Sequence, residues 1–249
     1  MEKEMYDSMY HKESYHWYFK AKYEIVISVL EKYGLKKSST NRIIDFGCGC
    51  GLMLRKLSAY GSVQGIDYSM EALDYCKLEF PQANLAQADL QDFFCSEKYD
   101  FGVALDVFEH IDDDVKAMKN VCCSLKKGGI CIVTVPALMS LWSAHDKNCM
   151  HKRRYTKKEL MAKLEESGFT VEYCSYYNFW SFPAVWLIRK VENILGLDNS
   201  ASKIEVGFQD NWFNDLLYRI FSSEKKRILK NKAFPWGVSL ICIVRGEIK

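Results

Sequence analysis

The residues best placed to do chemistry gather first in Ile43-Ile44-Asp45-Phe46-Gly47-Cys48-Gly49-Cys50-Gly51. Apolar residues lead into an acid, and glycines come after it at alternate positions. Glycine lets backbone approach a ligand with no Cβ in the way, and a helix opening at Leu52 would present unpaired N–H groups. A pyrophosphate loop calls for G-x-G-x-x-G, but the third slot of that pattern is Leu52 here. Asp45 would also set a carboxylate against two phosphate charges, whereas it suits a ligand that carries an ammonium. Asp67 comes about twenty residues after the glycines, where nucleoside-binding α/β folds hold a ribose diol. Tyr68, next to it, can lie against a nucleobase.

Strands and helices must position these groups. Ile43 to Phe46 reads as a buried strand, then a helix from Leu52 to Tyr60 and a second strand ending at Asp67. Ser69 can cap a helix from Met70 to Glu79. The runs from Asp45 to Asp67 and from Asp67 to Asp89 are each one strand-helix unit long. Further strands are expected within Tyr99 to Ile111 and within Leu125 to Pro136. Thr156 and Glu159 form a capping box for a helix to Glu166. Gly168 ends that helix before a strand from Phe169 to Tyr176. Ahead of the first strand, Tyr15-His16-Trp17-Tyr18-Phe19 leads into an amphipathic helix from Tyr23 to Tyr33. Near the end of the chain, Ser181 to Gly196 reads as a helix stopped by glycine and 197–209 as a loop. Asn211 to Lys230 reads as a second amphipathic helix, before a last strand from Val238 to Val244.

The nine-residue glycine segment resembles motif I of the class I S-adenosylmethionine (SAM) methyltransferases, whose usual form is hydrophobic-x-D-x-G-C-G-x-G. Ala86-Gln87-Ala88-Asp89-Leu90 resembles the third motif of that family. Tyr99 to Ile111, with Asp106-Val107-Phe108-Glu109-His110, resembles its fourth. Pro136 to Thr156, with Leu141-Trp142-Ser143-Ala144-His145-Asp146 and His151-Lys152-Arg153-Arg154-Tyr155-Thr156, resembles a bacterial subgroup of the type 11/12 kind. That subgroup also carries an H-W-W/Y-F segment like His16 to Phe19. The resemblance covers essentially the whole chain. It implies an α/β fold, a Rossmann-like seven-stranded sheet with the last strand antiparallel. It implies one domain over 1–249: N-terminal lid helices in 1–40, a cofactor core in 41–178, a helical substrate cap in 179–235 and the last strand in 236–249.

The resemblance also assigns roles. SAM, with S-adenosylhomocysteine as product, would be held by Asp45, Gly47, Cys48, Gly49, Gly51, Asp67, Tyr68, Asp89, Leu90, Asp106 and Val107. The Asp89 carboxylate would accept the adenine amino group, while the Leu90 N–H reads a ring nitrogen. Trp17 and Phe19 could close a lid over the cofactor or simply pack the N-terminal helix on the sheet. Lys20 or Lys22 could meet the cofactor's carboxylate or remain solvated. Methyl transfer to oxygen usually needs a base of near-neutral pKa, which histidine provides. His145 is the first catalytic candidate, with Asp146 to orient it, and His110 is the second. Arg153, Arg154 and Tyr155 could bind substrate, the arginines by forked hydrogen bonds to an anion, or they could be a solvated run before a helix.

Composition narrows the function classes. The chain has 249 residues, a net charge of +2 and 49% hydrophobic residues, enough for one full α/β enzyme domain without the basic bias of nucleic-acid binders. No apolar run reaches the ~18 residues of a membrane span, and the charged, aromatic N-terminus is unlike a signal peptide. Ten cysteines scattered through loop, strands and helices suit reduced thiols in the cytoplasm. Cys48-x-Cys50 is not a zinc spacing. Asp106, Glu109 and His110 could gather near one ion, but with nothing else in support no metal is expected. The expected enzyme is a cytoplasmic SAM-dependent methyltransferase acting on a small-molecule, sugar or lipid-linked acceptor, with oxygen favoured over nitrogen. Peripheral membrane contact through the helical insertion is an open option, and nucleic acid is not an expected partner. The competing readings are an RNA methyltransferase and a non-catalytic scaffold of the same fold.

Overall fold

The computed structural model describes residues 3–93, 95, 98–195 and 212–247. Its centre is a seven-stranded sheet in the order β3-β2-β1-β4-β5-β7-β6. The strands are β1 Arg42–Phe46, β2 Ser62–Asp67, β3 Asn84–Gln87, β4 Tyr99–Leu105, β5 Leu125–Pro136, β6 Phe169–Tyr177 and β7 Ser239–Gly246. β1 runs parallel to β2 and β4, and β4 parallel to β5; β7 is antiparallel to both β5 and β6. The inner strands are near-continuous apolar runs because helices cover both faces of the sheet. Alternate residues turn to opposite faces. Ile43, Val103 and Ile132 enter one core with Val26, Leu30 and Leu54, while Ile44, Ala104 and Val133 enter the other with Met118, Val121 and Leu160.

The first core is roofed by α2 Trp17–Lys32, α3 Leu52–Leu57 and α4 Met70–Glu79, and the second by α5 Asp114–Ser124 and α7 Lys157–Glu166. The expected caps form. Ser69 Oγ accepts the Ala72 N–H (3.3 Å) and Thr156 Oγ1 accepts the Glu159 N–H (3.2 Å). Each such cap contributes about 1 kcal/mol.

Three helical regions differ from the sequence expectation. The first is α1 Lys3–Glu13, a helix that the sequence pattern does not announce. Next, α2 starts at Trp17 rather than Tyr23, because His16 accepts the Tyr18 N–H and serves as N-cap. Trp17 to Phe19 therefore lie in its first turn. The long helix expected over 211–230 is divided into α9 Trp212–Ser222 and α10 Lys225–Ile228. The break falls at Glu224. Its buried carboxylate accepts the N–H groups of Asn178 (2.8 Å) and Phe179 (2.9 Å), and these bonds draw the chain inward. α8 spans Phe182–Leu195 and packs beside the 3-10 turn Met139–Leu141 after β5. The loop expected over 197–209 lies outside the described residues.

Candidate active site

The strand order reverses between β1 and β4, and in open α/β sheets the ligand cleft lies outside the C-terminal strand ends at that point. Most of the sequence-assigned cofactor residues converge here. Gly47 and Cys48 donate their N–H groups to Ile66 O (2.7 and 2.9 Å), tying the loop to β2. Asp67 then fixes the loop to the start of α4: Oδ2 accepts the Gly49 N–H and Oδ1 the Ser69 N–H, both at 2.9 Å. Gly51 has φ +90° and lies against Cys76 of α4; a Cβ there would overlap Sγ and come within 3.1 Å of Cα. Glycine at 51 is thus required by both conformation and space. Val107 packs on the loop from the β4 side, its Cγ2 2.5 Å from where a Gly47 Cβ would stand.

Asp45 lies near the C-terminal end of β1. It is 2% exposed, and its Oδ2 has no hydrogen-bond partner. Burial, and then the charges of Glu13 and Asp67, push its pKa up to about 8, against a smaller pull from Lys22. Glu13 is a second buried carboxylate, raised first by burial while the Tyr23 hydroxyl donates to it. Two buried acids, one with an orphaned oxygen, near the end of β1 suit a ligand cation such as the ammonium of SAM. Tyr68 is 74% exposed at the rim, its ring open to a base. Asp89 folds an Asx-type turn, with Oδ1 accepting the Gln91 N–H (2.8 Å), and so holds the segment with Leu90 beyond β3.

Asp106 ends β4 in a left-handed conformation, φ +58°. It accepts from Lys22 Nζ (3.0 Å), Thr134 Oγ1 (2.9 Å) and the Tyr18 hydroxyl (3.3 Å). Burial alone would raise its pKa, but the Lys22 ammonium and hydrogen bonds from Lys22 and Thr134 hold it below the ordinary carboxylate value. Lys22 is therefore an internal partner of Asp106. Lys20 lies nearer α9, 4.0 Å from Asp215.

The N-terminal aromatics are packed. Trp17 stacks on Phe221 with ring centroids 4.2 Å apart, and its backbone N–H donates to Asn214 Oδ1 (2.9 Å). Phe19 packs against the first core. The element that approaches the glycine loop is α1: Met9 Cε lies 3.0 Å from where a Gly49 Cβ would stand, and Cys50 Sγ is 3.7 Å from Tyr6 O.

Beyond β4 and β5 the structure brings three histidines together. The His110 and His151 rings meet edge to face at 4.8 Å, and His145 stands 6.2 Å from His151. Burial, and then the charge of His151, push the His110 pKa down to about 4. His145 lies in α6 Ala144–Asn148, which opens with a capping box between Ser143 and Asp146. Cys149 Sγ lies 3.6 Å from His145 Nε2. Asp146, expected to orient His145, holds His151 Nδ1 at 2.8 Å and Arg154 Nε at 2.7 Å. In the sequence His151 is one member of a basic run, with no sign of this partner. Its contact with Asp146, five residues earlier, closes through the α6 turn.

The substrate role expected for Arg154 and Tyr155 is corrected by their burial. Arg154 is 5% exposed and also donates to Ala137 O (3.1 Å); Tyr155 is fully buried and donates to Asp114 Oδ2 (2.8 Å). Arg153 pairs with the same Asp114 (3.0 Å) and donates to Asp112 O (2.9 Å). Asp114, caught between Lys163, Tyr155 and Arg153, ties α5 to α7. These side chains fasten the loop; they do not form an anion clamp.

Comparison with known proteins agrees with the geometry. A family model described as a methyltransferase domain matches residues 44–133, from β1 through most of β5. Over 102 residues the chain is 31% identical to a ubiquinone biosynthesis O-methyltransferase of Bradyrhizobium diazoefficiens, covering 37% of this chain and 39% of that protein. The chain thus spans about two fifths of the length of the ubiquinone-type relatives it matches. A SAM-dependent methyltransferase of Clostridium acetobutylicum superposes with a TM-score of 0.59 at 13% identity, over 92% of both chains. A Haemonchus contortus phosphoethanolamine N-methyltransferase 2, solved with SAM bound, superposes with a TM-score of 0.57 at 17% identity, over 90% of this chain and 52% of that one. With its glycine loop, strand-end acids and sheet order all in the expected relation, the chain matches a methyltransferase domain over residues 44–133 and shares the fold of solved SAM-dependent methyltransferases.

Proposed function

We propose that the protein transfers the methyl group of SAM to an oxygen of a small-molecule, sugar or lipid-linked acceptor. The observation that carries this reading is the buried, half-unpartnered Asp45 beneath the glycine loop, set across the β1/β4 switch point from a histidine cluster. SAM supplies an activated methyl on a sulfonium, so the protein's task is to position, exclude water and handle one proton. Asp45 receives the ammonium, Asp67 the ribose diol, Tyr68 and the Asp89–Leu90 turn the adenine. Asp106, locked by Lys22 and Thr134, fixes the end of β4, where the acceptor approaches. His145, on the loop after β5, takes the proton from the acceptor oxygen. His110, the second candidate, packs on His151 in the same cluster.

The helical insertion supports the lipid-linked end of this acceptor class. α8 exposes Trp186, Leu187 and Val191, α9 exposes Trp212, Phe213 and Leu216, and Trp180 and Trp236 lie exposed just before α8 and β7. Aromatic and apolar side chains beside Lys190 and Arg219 suit contact with a bilayer face. Among the described residues no helix is long and apolar enough to cross a membrane. The test is an acceptor screen read by S-adenosylhomocysteine release, with soluble and lipid-linked saccharides in parallel and the methylated atom located by mass spectrometry. Release only with nitrogen or RNA acceptors would overturn the reading.

A further inference from the structure

We propose that Glu109, His110 and His151 form a binding site for a divalent transition-metal ion such as Zn2+. One ligand atom from each residue lies within 4.8 Å of the other two. Bond lengths of about 2.1 Å place tetrahedral donors roughly 3.4 Å apart, so small side-chain rotations complete the set.

Two observations separate this cluster from a chance gathering. Glu109 is fully buried, and neither of its carboxylate oxygens has a hydrogen-bond partner. An ionised carboxylate left in that state is strongly unfavourable, so Glu109 either keeps a proton or gives it up to a cation that meets the carboxylate. The second observation is the support behind His151. Its Nδ1 lies 2.8 Å from the buried Asp146 carboxylate, which Arg154 holds in turn at 2.7 Å. A carboxylate on Nδ1 fixes the proton there and leaves Nε2 as the free lone pair, which is the outer support metal-bound histidines have. The Lys152 N–H, next in sequence, donates to Glu109 O (2.8 Å) and holds the two ligand segments together.

The ligand set differs from the one the sequence suggested. Asp106 is committed to Lys22, Thr134 and Tyr18, and His151 supplies the third donor from the far side of the loop. Two imidazoles and one carboxylate leave coordination positions for water or an acceptor oxygen. His110 and His151 are both partly exposed, which gives the ion and the acceptor a way in. An ion here would lower the pKa of an acceptor hydroxyl next to His145. That role rests on the proposed methyl transfer, whereas the binding itself does not.

The test is equilibrium dialysis of the chelator-treated full chain against Zn2+, with Mg2+ for comparison, and a parallel Co2+ titration followed by visible absorption. The expected result is one tightly held Zn2+ per chain and a Co2+ spectrum without thiolate charge transfer. His151→Ala and Glu109→Gln should each weaken binding at least tenfold with the far-ultraviolet circular dichroism unchanged, while Cys149→Ser retains it. If Glu109→Gln fails to fold, the partly exposed His151 decides. Absence of stoichiometric Zn2+ in the wild type, survival of binding in His151→Ala, or loss with Cys149→Ser would overturn the proposal. SAM titration of the same preparations distinguishes the two readings: SAM binding without Zn2+ overturns the metal site alone, and Zn2+ binding without SAM overturns the cofactor assignment alone.

Discussion

With Asp45 as the proposed partner of the SAM ammonium, cofactor binding is expected to be proton-linked. Without ligand the Asp45 pKa stands at about 8 against an ordinary 3.8, raised first by burial and then by Glu13 and Asp67. At pH 7 about nine chains in ten then carry the neutral acid. An ammonium placed against the carboxylate lowers such a pKa by roughly 1–3 units. Binding at pH 7 should therefore release between about half a proton and one proton. Because protons leave on binding, SAM affinity rises with pH until the ligand's own α-amino group, with a pKa of roughly 7.7–8.0, begins to lose its charge. Together these effects give a roughly two- to twentyfold gain in affinity from pH 6 to pH 8, then a decline.

The same shift acts on stability in the absence of ligand. A raised folded-state pKa contributes stability that is complete below the unfolded value of 3.8 and is lost as pH rises through about 8. The loss at pH 8 is on the order of 5 kcal/mol as a ceiling. Asp45→Asn removes that pH dependence, so the ligand-free variant should melt higher than wild type at pH 8 while binding SAM more weakly. Isothermal titration at pH 7 in buffers of differing ionisation enthalpy measures the proton count directly. No proton release, or an equal pH slope in Asp45→Asn, would refute the reasoning and remove the ammonium from this pocket.

Three further outcomes are expected. Asp67→Ala frees the Gly49 and Ser69 N–H groups and removes the proposed acceptor of the ribose diol, so SAM should bind at least tenfold more weakly by calorimetry while the chain stays folded; charge-assisted bonds of roughly 1.5–3 kcal/mol set this floor. His145→Ala should lower turnover roughly 10²–10⁴-fold with little change in SAM affinity, and near-normal turnover would make His145 structural. Backbone amides of 3–19 should exchange more slowly when SAM is added if α1 and the start of α2 close over the cofactor, and equal protection would leave Trp17 and Phe19 to packing alone.

How much the sequence discloses depends on how far apart the cooperating residues lie. Asp45, Gly47, Gly49 and Gly51 act within one strand-loop-helix unit, so the pattern of apolar run, acid and glycines carries their placement. Asp67 is placed by the length of one such unit. The α7 cap is legible for the same reason, since Thr156 and Glu159 are partners along the chain. Glu13 cannot be found this way. In a polar helix it looks like a solvated charge, and only pairing with Tyr23 on the next helix buries it beside Asp45. The basic run His151 to Arg154 misleads for a related reason. A run of cations does not reveal which one has a buried acid waiting, and Asp146 takes both His151 and Arg154 out of solvent once α6 turns the chain back. Asp146 carries the available signal: an acid three residues after Ser143 has helix-capping spacing, which marks the start of the short α6. Glu109 and His110 are placed at the end of that strand by its apolar run. Lys22 and Thr134 engage Asp106, and the side chain that gathers with Glu109 and His110 instead is His151, on the returning loop.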